Sequence, residues 1–258
     1  MTLTADYKTH TVYSDGTNQI VENAMRAKEI ALKEIAISEH GFSHLCFGIK
    51  RKEKARFISE IRAAEKKTEM RVLVGIESNI RGFEGRCDLR PDDFSDFDVY
   101  LCGVHVLVKY SSLRDVWHLG LGNYIKSKTI LKPSKRLIED TTAAYINAIK
   151  NNPIDVVTHL NYQCFADAVE VAKACRDYGT YVELNSKKNH LSDDELYEVE
   201  KTGVRFVVNS DAHSIDRIGD TKLAAEQIER VGIPLDRIDN IEGRLPNFRL
   251  AEYKQKNL

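Results

Sequence analysis

Five of the eight histidines in this 258-residue chain, with four acidic residues, stand where short apolar runs end. His10 follows the run Leu3–Thr9, Glu39 and His40 follow Glu34–Ile37, and Glu77 closes Arg71–Glu77. His105 closes Asp98–His105, His159 follows Asp155–Thr158, and Arg205–Asn209 leads into Asp211-Ala-His213. Glu183 and Asn185 hold the same place on the run Tyr181–Leu184. Any one of these histidines reads most simply as a hydrogen-bonded, half-buried imidazole. Five that converge with carboxylates read instead as a ligand set for zinc, manganese or iron. Asp211 and His213 are two residues apart, so an extended backbone would send both side chains to one side. Glu77 can bridge two ions, because a carboxylate offers two oxygens and a neutral imidazole only one lone pair.

Convergence requires that the ends of these runs share one face. Between the runs lie helical patterns over Ile20–Leu32, Glu53–Lys67, Ser134–Asn151, Phe165–Tyr178, Asp193–Lys201 and Thr221–Val231. The spacing of Val21, Ala24, Met25 and Ala27 follows the helical period rather than alternation. Seven strands separated mostly by helices imply parallel pairing through right-handed crossovers. At this length the pattern predicts an α/β fold with a closed or nearly closed barrel, in which the C-terminal strand ends form one active face. The polar, glycine-containing stretch Lys109–Pro133 reads as a lid or wall over that face.

The chain is 42% hydrophobic and 30% charged, enough for one large core, and no repeat or Pro/Gly-rich linker divides it. A single domain over residues 1–258 is expected. A net charge of −1 gives no field for nucleic acid or membranes. No apolar run is long enough to span a bilayer, and the first residues do not read as a signal peptide. Cys46, Cys87, Cys102, Cys164 and Cys175 are scattered and form no C-x-x-C pair, which predicts reduced thiols and a cytoplasmic protein.

Taken together, D6-Y-K-T-H10-T-V-Y-S-D15-G16, A36-I-S-E-H40-G41, G75-I-E77, G103-V-H105, V157-T-H159 and N209-S-D-A-H213 resemble the PHP (polymerase and histidinol phosphatase) family. The resemblance covers nearly the whole chain. It implies a distorted (β/α)7 TIM-like barrel that holds two or three divalent metal ions, zinc, manganese or iron. Carried over position by position, the metal ligands are His10, Asp15, His40, Glu77, His105, His159, Asp211 and His213. The implied activity is hydrolysis of a phosphate ester by a metal-activated water, with a small phosphorylated substrate of the histidinol phosphate kind. Phosphodiester or 3′-exonuclease activity on nucleotides is the alternative, disfavoured by the near-neutral charge. Glu77 and Asp211 would be catalytic. Arg217, just past the Asp-Ala-His motif, would bind phosphate through its guanidinium, unless it pairs with Asp216 or Asp220. Lys109 and Lys187 are looser candidates for the same task.

One position departs from the family pattern. The opening motif is H-x-H, and Lys8 stands where the first histidine would be. An ammonium has no lone pair for a metal. Three readings are open: a weakened site with three protein ligands and water; a resident cation paired with Glu77 and Asp211 in a cluster with one metal fewer; or a deprotonated lysine serving as ligand or base. A catalytically silent regulatory module is a further alternative. His44, His118 and His190 read as a loop, a packing and a surface residue.

Overall fold

The computed structural model describes residues 1–129 and 132–257. In chain order it contains β1 (Ala5–Thr9), α1 (Ile20–Glu29), β2 (Glu34–His40), α2 (Lys54–Thr68), β3 (Arg71–Asn79) and β4 (Val99–Gly103). There follow α3 (Leu113–Asp115), a π-helical turn over Val116–Leu121, α4 (Gly122–Ser127), α5 (Lys135–Asn151), β5 (Val156–Val157) and α6 (Ala168–Tyr178). The chain continues through β6 (Tyr181–Asn185), α7 (Asp193–Lys201), β7 (Phe206–Asn209), α8 (Lys222–Val231) and α9 (Arg249–Asn257). The strands pair in sequence order, every pair parallel, as one seven-stranded sheet curled into a nearly closed barrel. Among the described residues no helix is long and apolar enough to cross a membrane.

Alternation along the strands divides the core in two. Ala5, Tyr7, Ala36, Leu73, Val156 and Val207 form a small cluster in the lower barrel, plugged by Phe248 against the Tyr7 ring at 4.8 Å. The intervening residues, among them Ile35, Ile37, Val72, Val74 and Val182, pack outward against Phe57, Ala144, Val171 and Ile228 of the helices. Both faces are therefore buried, which is why the strands read as near-continuous apolar runs. The helices stop and start on local signals. Asp167 accepts from the Val169 and Glu170 N–H groups ahead of α6, and Gly179 ends that helix at a φ of 72°.

The seam between β1 and β7 is not a regular ladder. Thr9 and Ala212 form one isolated bridge, and side chains do the rest. Asn240 donates to the Ala5 carbonyl at 2.9 Å and the Val208 carbonyl at 2.6 Å, and accepts from the Val208 N–H at 2.9 Å. Asn209 accepts from the Tyr7 N–H at 3.2 Å, and the Asp6 carboxylate accepts from the Ser210 N–H and hydroxyl.

Several boundaries differ from those expected. The long strand at Asp98–His105 ends at Gly103, leaving His105 on the loop, whereas β2 runs on through His40. Within Lys109–Pro133, read as a polar lid or wall, residues 113–127 are helical; positions 130 and 131 of that stretch lie outside the described residues. Sequence reasoning did not find α9, whose exposed, highly charged face hides its one buried anchor, Leu250.

Replacing Asn240 by Ala should cost about 2–4 kcal/mol of unfolding free energy, because it orphans a buried N–H and two carbonyls at the seam. Urea denaturation followed by circular dichroism measures it; a loss under about 0.5 kcal/mol would show that the seam does not depend on this side chain.

Candidate metal centre

The interior positions above the apolar plug are polar. Along β2, Ala36 gives way to Ser38 and His40; along β3, Leu73 gives way to Gly75 and Glu77; along β6, Tyr181 gives way to Glu183 and Asn185. β1 reaches the same face by a different route. Its register with β2 shifts between Asp6 and Thr9, so neighbouring Tyr7 and Lys8 both turn into the barrel, one to the plug and one to the site. The bulge re-aims Lys8 and His10 together. Loop ends supply the remainder. His159 and Asp211 take left-handed φ values of 31° and 51°, backbone strain of the kind that collects at functional sites. Asp211 and His213 thus meet across a left-handed kink, not along the extended backbone that their spacing suggested.

Glu77 is fully buried at the centre. Its Oε1 lies 2.8 Å from Lys8 Nζ, 2.8 Å from His159 Nε2 and 3.5 Å from His105 Nε2. Its Oε2 lies 3.0 Å from His40 Nδ1 and 3.7 Å from His10 Nε2. Asp211 Oδ1 faces His10 Nε2 at 3.4 Å and His213 Nδ1 at 3.6 Å. Asp15 spans His40 Nε2 at 3.4 Å and His213 Nε2 at 3.3 Å. All eight residues expected as ligands therefore lie in one cluster. Two ligand sets have donor atoms within 4.8 Å of one another: His10, Asp15, His40 and His213; and His40, Glu77 and His105.

The donors fit divalent ions. His10 Nε2, His40 Nδ1 and Glu77 Oε2 are buried without a hydrogen-bond partner, although they face one another. Buried polar atoms are seldom left so unless something else binds them. Imidazole nitrogen with carboxylate oxygen suits zinc, manganese or iron.

Lys8 lies inside this cluster and is 1% exposed. Besides Glu77 it meets Asp211 Oδ2 at 3.5 Å and Glu183 Oε2 at 3.6 Å. Burial alone would push its ammonium pKa down, but Asp211, Glu183 and Glu77 outweigh that, and the net direction is upward. Burial raises Glu77 and Asp211 as well; Lys8, with the neighbouring imidazoles, overrides it and holds both well below the usual carboxylate range. Glu183 stays above its ordinary value, since burial prevails there over Lys8. Burial lowers His10 to about 4, leaving a neutral imidazole with a lone pair to give. His40, between Glu77 and Asp15, goes the other way despite its burial, to about 10.

Supporting residues were partly missed. Glu39 turns away from the cluster and accepts from the Thr11 N–H at 3.0 Å and from the Thr11 and Ser14 hydroxyls, which holds the loop that carries Asp15. Glu183 accepts from the His159 N–H at 2.7 Å, Asn185 at 3.1 Å and Asn209 at 2.9 Å. Gly103 leaves room for His159, since a Cβ there would meet its Cε1 at 2.9 Å. Arg217 pairs with Asp220 and donates to the Ser186 carbonyl at 3.1 Å. Lys187, by contrast, reaches the His213 ring nitrogens at 3.2 Å and has no carboxylate within 4 Å among the described residues. His44 stacks on His40 at 5.0 Å, and His118 pairs with Asp140 at 2.7 Å. His190, expected at the surface, is half-buried against Tyr162 and His159. Beside the cluster, Val12, Tyr13, Ser14, Phe47 and Lys50 border a cavity of about 390 Å³.

Residues 6–187 of the chain match the PHP domain family. A protein named as a probable phosphatase of Thermoanaerobacter sp. (strain X514) is 28% identical over 273 residues, covering 99% of this chain and 98% of the relative. Another so named, from Vibrio parahaemolyticus, is 25% identical over 283 residues, covering 99% and 98%. Histidinol phosphate phosphatase from Lactococcus lactis, solved with zinc, L-histidinol and phosphate, superposes with a TM-score of 0.58 at 16% identity, covering 95% of this chain and 98% of that one. At that identity the superposition establishes a shared fold.

His40 belongs to both ligand sets and His213 to one. After loading with excess zinc and desalting, His40→Ala should therefore retain less metal per chain than His213→Ala. Elemental analysis decides; equal losses would separate His40 from one of the sets.

Proposed function

The chain belongs to the PHP domain family, and we propose that this metal-dependent phosphoesterase acts on a small phosphomonoester at the His/Asp/Glu cluster. The observation that carries the reading is Glu77, buried with one oxygen toward Lys8, His105 and His159 and the other toward His10 and His40. A carboxylate so placed would offer an oxygen to ions held by the imidazoles on either side of it. His10, Asp15, His40, Glu77, His105, His159, Asp211 and His213 are the ligands in this reading, and residues 1–258 act as one domain.

Divalent ions bound there supply Lewis acidity that activates water and offsets charge on phosphoryl oxygens. The residues do the rest. Glu77 and Asp211, held ionised, provide permanent anions for the ions to sit on. Neutral His10 offers a lone pair with no proton to expel. At the mouth Lys187, beside His213 and with no carboxylate partner among the described residues, is placed to meet a phosphoryl oxygen, whereas Arg217 is already engaged by Asp220. The neighbouring cavity of about 390 Å³ suits a metabolite-sized leaving group. The small-phosphomonoester reading also draws on the relatives named as phosphatases and on the histidinol phosphatase that shares the fold.

Chelation followed by desalting should abolish release of inorganic phosphate from a phosphomonoester panel, and manganese or zinc should restore it. Turnover of bis(p-nitrophenyl) phosphate in preference to the monoesters would favour the phosphodiesterase alternative. No turnover of either by the metal-loaded protein would favour a silent module. Glu77→Gln should lower kcat by roughly two or more orders of magnitude and release metal. Wild-type metal content and turnover in that variant would remove Glu77 from the bridge.

A further inference from the structure

Lys8 occupies a place where three buried carboxylates converge. Around its ammonium stand three buried carboxylates, Glu77 at 2.8 Å, Asp211 at 3.5 Å and Glu183 at 3.6 Å. Three carboxylate oxygens about one point are a hard-ligand set for a divalent cation. Here the protein supplies its own cation.

We propose that Lys8 is a permanent cation of the cluster, so that the centre takes two divalent ions and the amine replaces a third. The inference rests on the metal-dependent reading above and adds the ion count and the role of Glu183. Three features carry it. The lysine stem is buried along β1, at 1% exposure, so the ammonium cannot swing into solvent to admit an ion. Asp211 is divided: Oδ1 faces His10 and His213, while Oδ2 is held by Lys8 and by the Asn185 amide at 3.0 Å. Oδ1 is the Asp211 oxygen left clear of Lys8. Glu183 has its oxygens filled by the His159 N–H, Asn185 and Asn209, which makes it a fixed neighbour of Lys8 rather than a free ligand. An ion placed among the same oxygens would stand against the ammonium at a few ångströms, an arrangement that like charges in a buried site disfavour.

The test is ions per chain. Wild-type protein purified without chelator, loaded with excess zinc and desalted, should contain two zinc ions by elemental analysis and native mass spectrometry. Lys8→His, which replaces the ammonium with a ligand, should contain one more. Lys8→Met removes the charge and supplies no strong ligand, so after chelation its thermal midpoint should fall below that of wild type treated alike. Three ions in wild type would overturn the proposal, as would equal counts in wild type and folded Lys8→His, or an unchanged midpoint in Lys8→Met. The wild-type count decides even if a variant does not fold. A wild type that binds no zinc at all would instead overturn the metal-dependent reading itself.

Discussion

A carboxylate removed from water must be met by positive charge or by donors, and most of the upper barrel follows from doing this for Glu77. With no exposed surface of its own, Glu77 is ringed by Lys8 and by the imidazoles of His10, His40, His105 and His159. Each comes from a different strand end or from β1, so their meeting requires the strands to be parallel, in order and curled. An open sheet would leave the carboxylate buried beside its immediate neighbours alone, at a cost of several kcal/mol. The polar layer above and the apolar plug below are thus two halves of one arrangement, produced by the same alternation.

The sequence disclosed much of this because the chemistry sits at strand ends, and strand ends are marked by a change from apolar to ionisable residues. His10, His40, Glu77, His105, His159 and Asp211 could be placed on one face before any coordinates, and all lie in the cluster. What stayed hidden was of another kind. The bulge in β1 changes parity without any glycine or proline to announce it, so nothing local says that Tyr7 and Lys8 share the interior. The left-handed turn at Asp211 depends on where Ala212 must pair with Thr9, a contact 203 positions away in sequence. Glu183 holds the same strand-end place as the expected ligands, and only its three donors show that its oxygens are spoken for. Arg217 could be read either toward substrate or toward Asp220, and the tie was broken by side-chain geometry alone.

Supporting residues define how rigid the cluster is. Glu39 fixes the Asp15 loop through Thr11 and Ser14. On the far side Asp88 accepts from the Asn79 N–H at 3.0 Å and the Ser43 N–H at 2.8 Å, which joins the end of β3 to the loop that follows His40. Both carboxylates hold backbone N–H groups and neighbouring hydroxyls, fixing the geometry from outside the cluster.

The side-chain seam between β1 and β7 carries a consequence for how the protein is made. Asn240 reaches the Ala5 carbonyl across 235 residues of chain, and His10 takes its N–H partner from Ala212. A chain emerging from the ribosome therefore presents Glu77, His40 and His105 long before the strand that completes their surroundings exists. Contacts of such sequence separation form late because loop closure precedes any reward. The growing polypeptide spends that interval with half a charge cluster and an open sheet edge. Nascent-chain binding by chaperones or by loose metal would fall in this window, and it closes only when the last fifth of the sequence has left the exit tunnel.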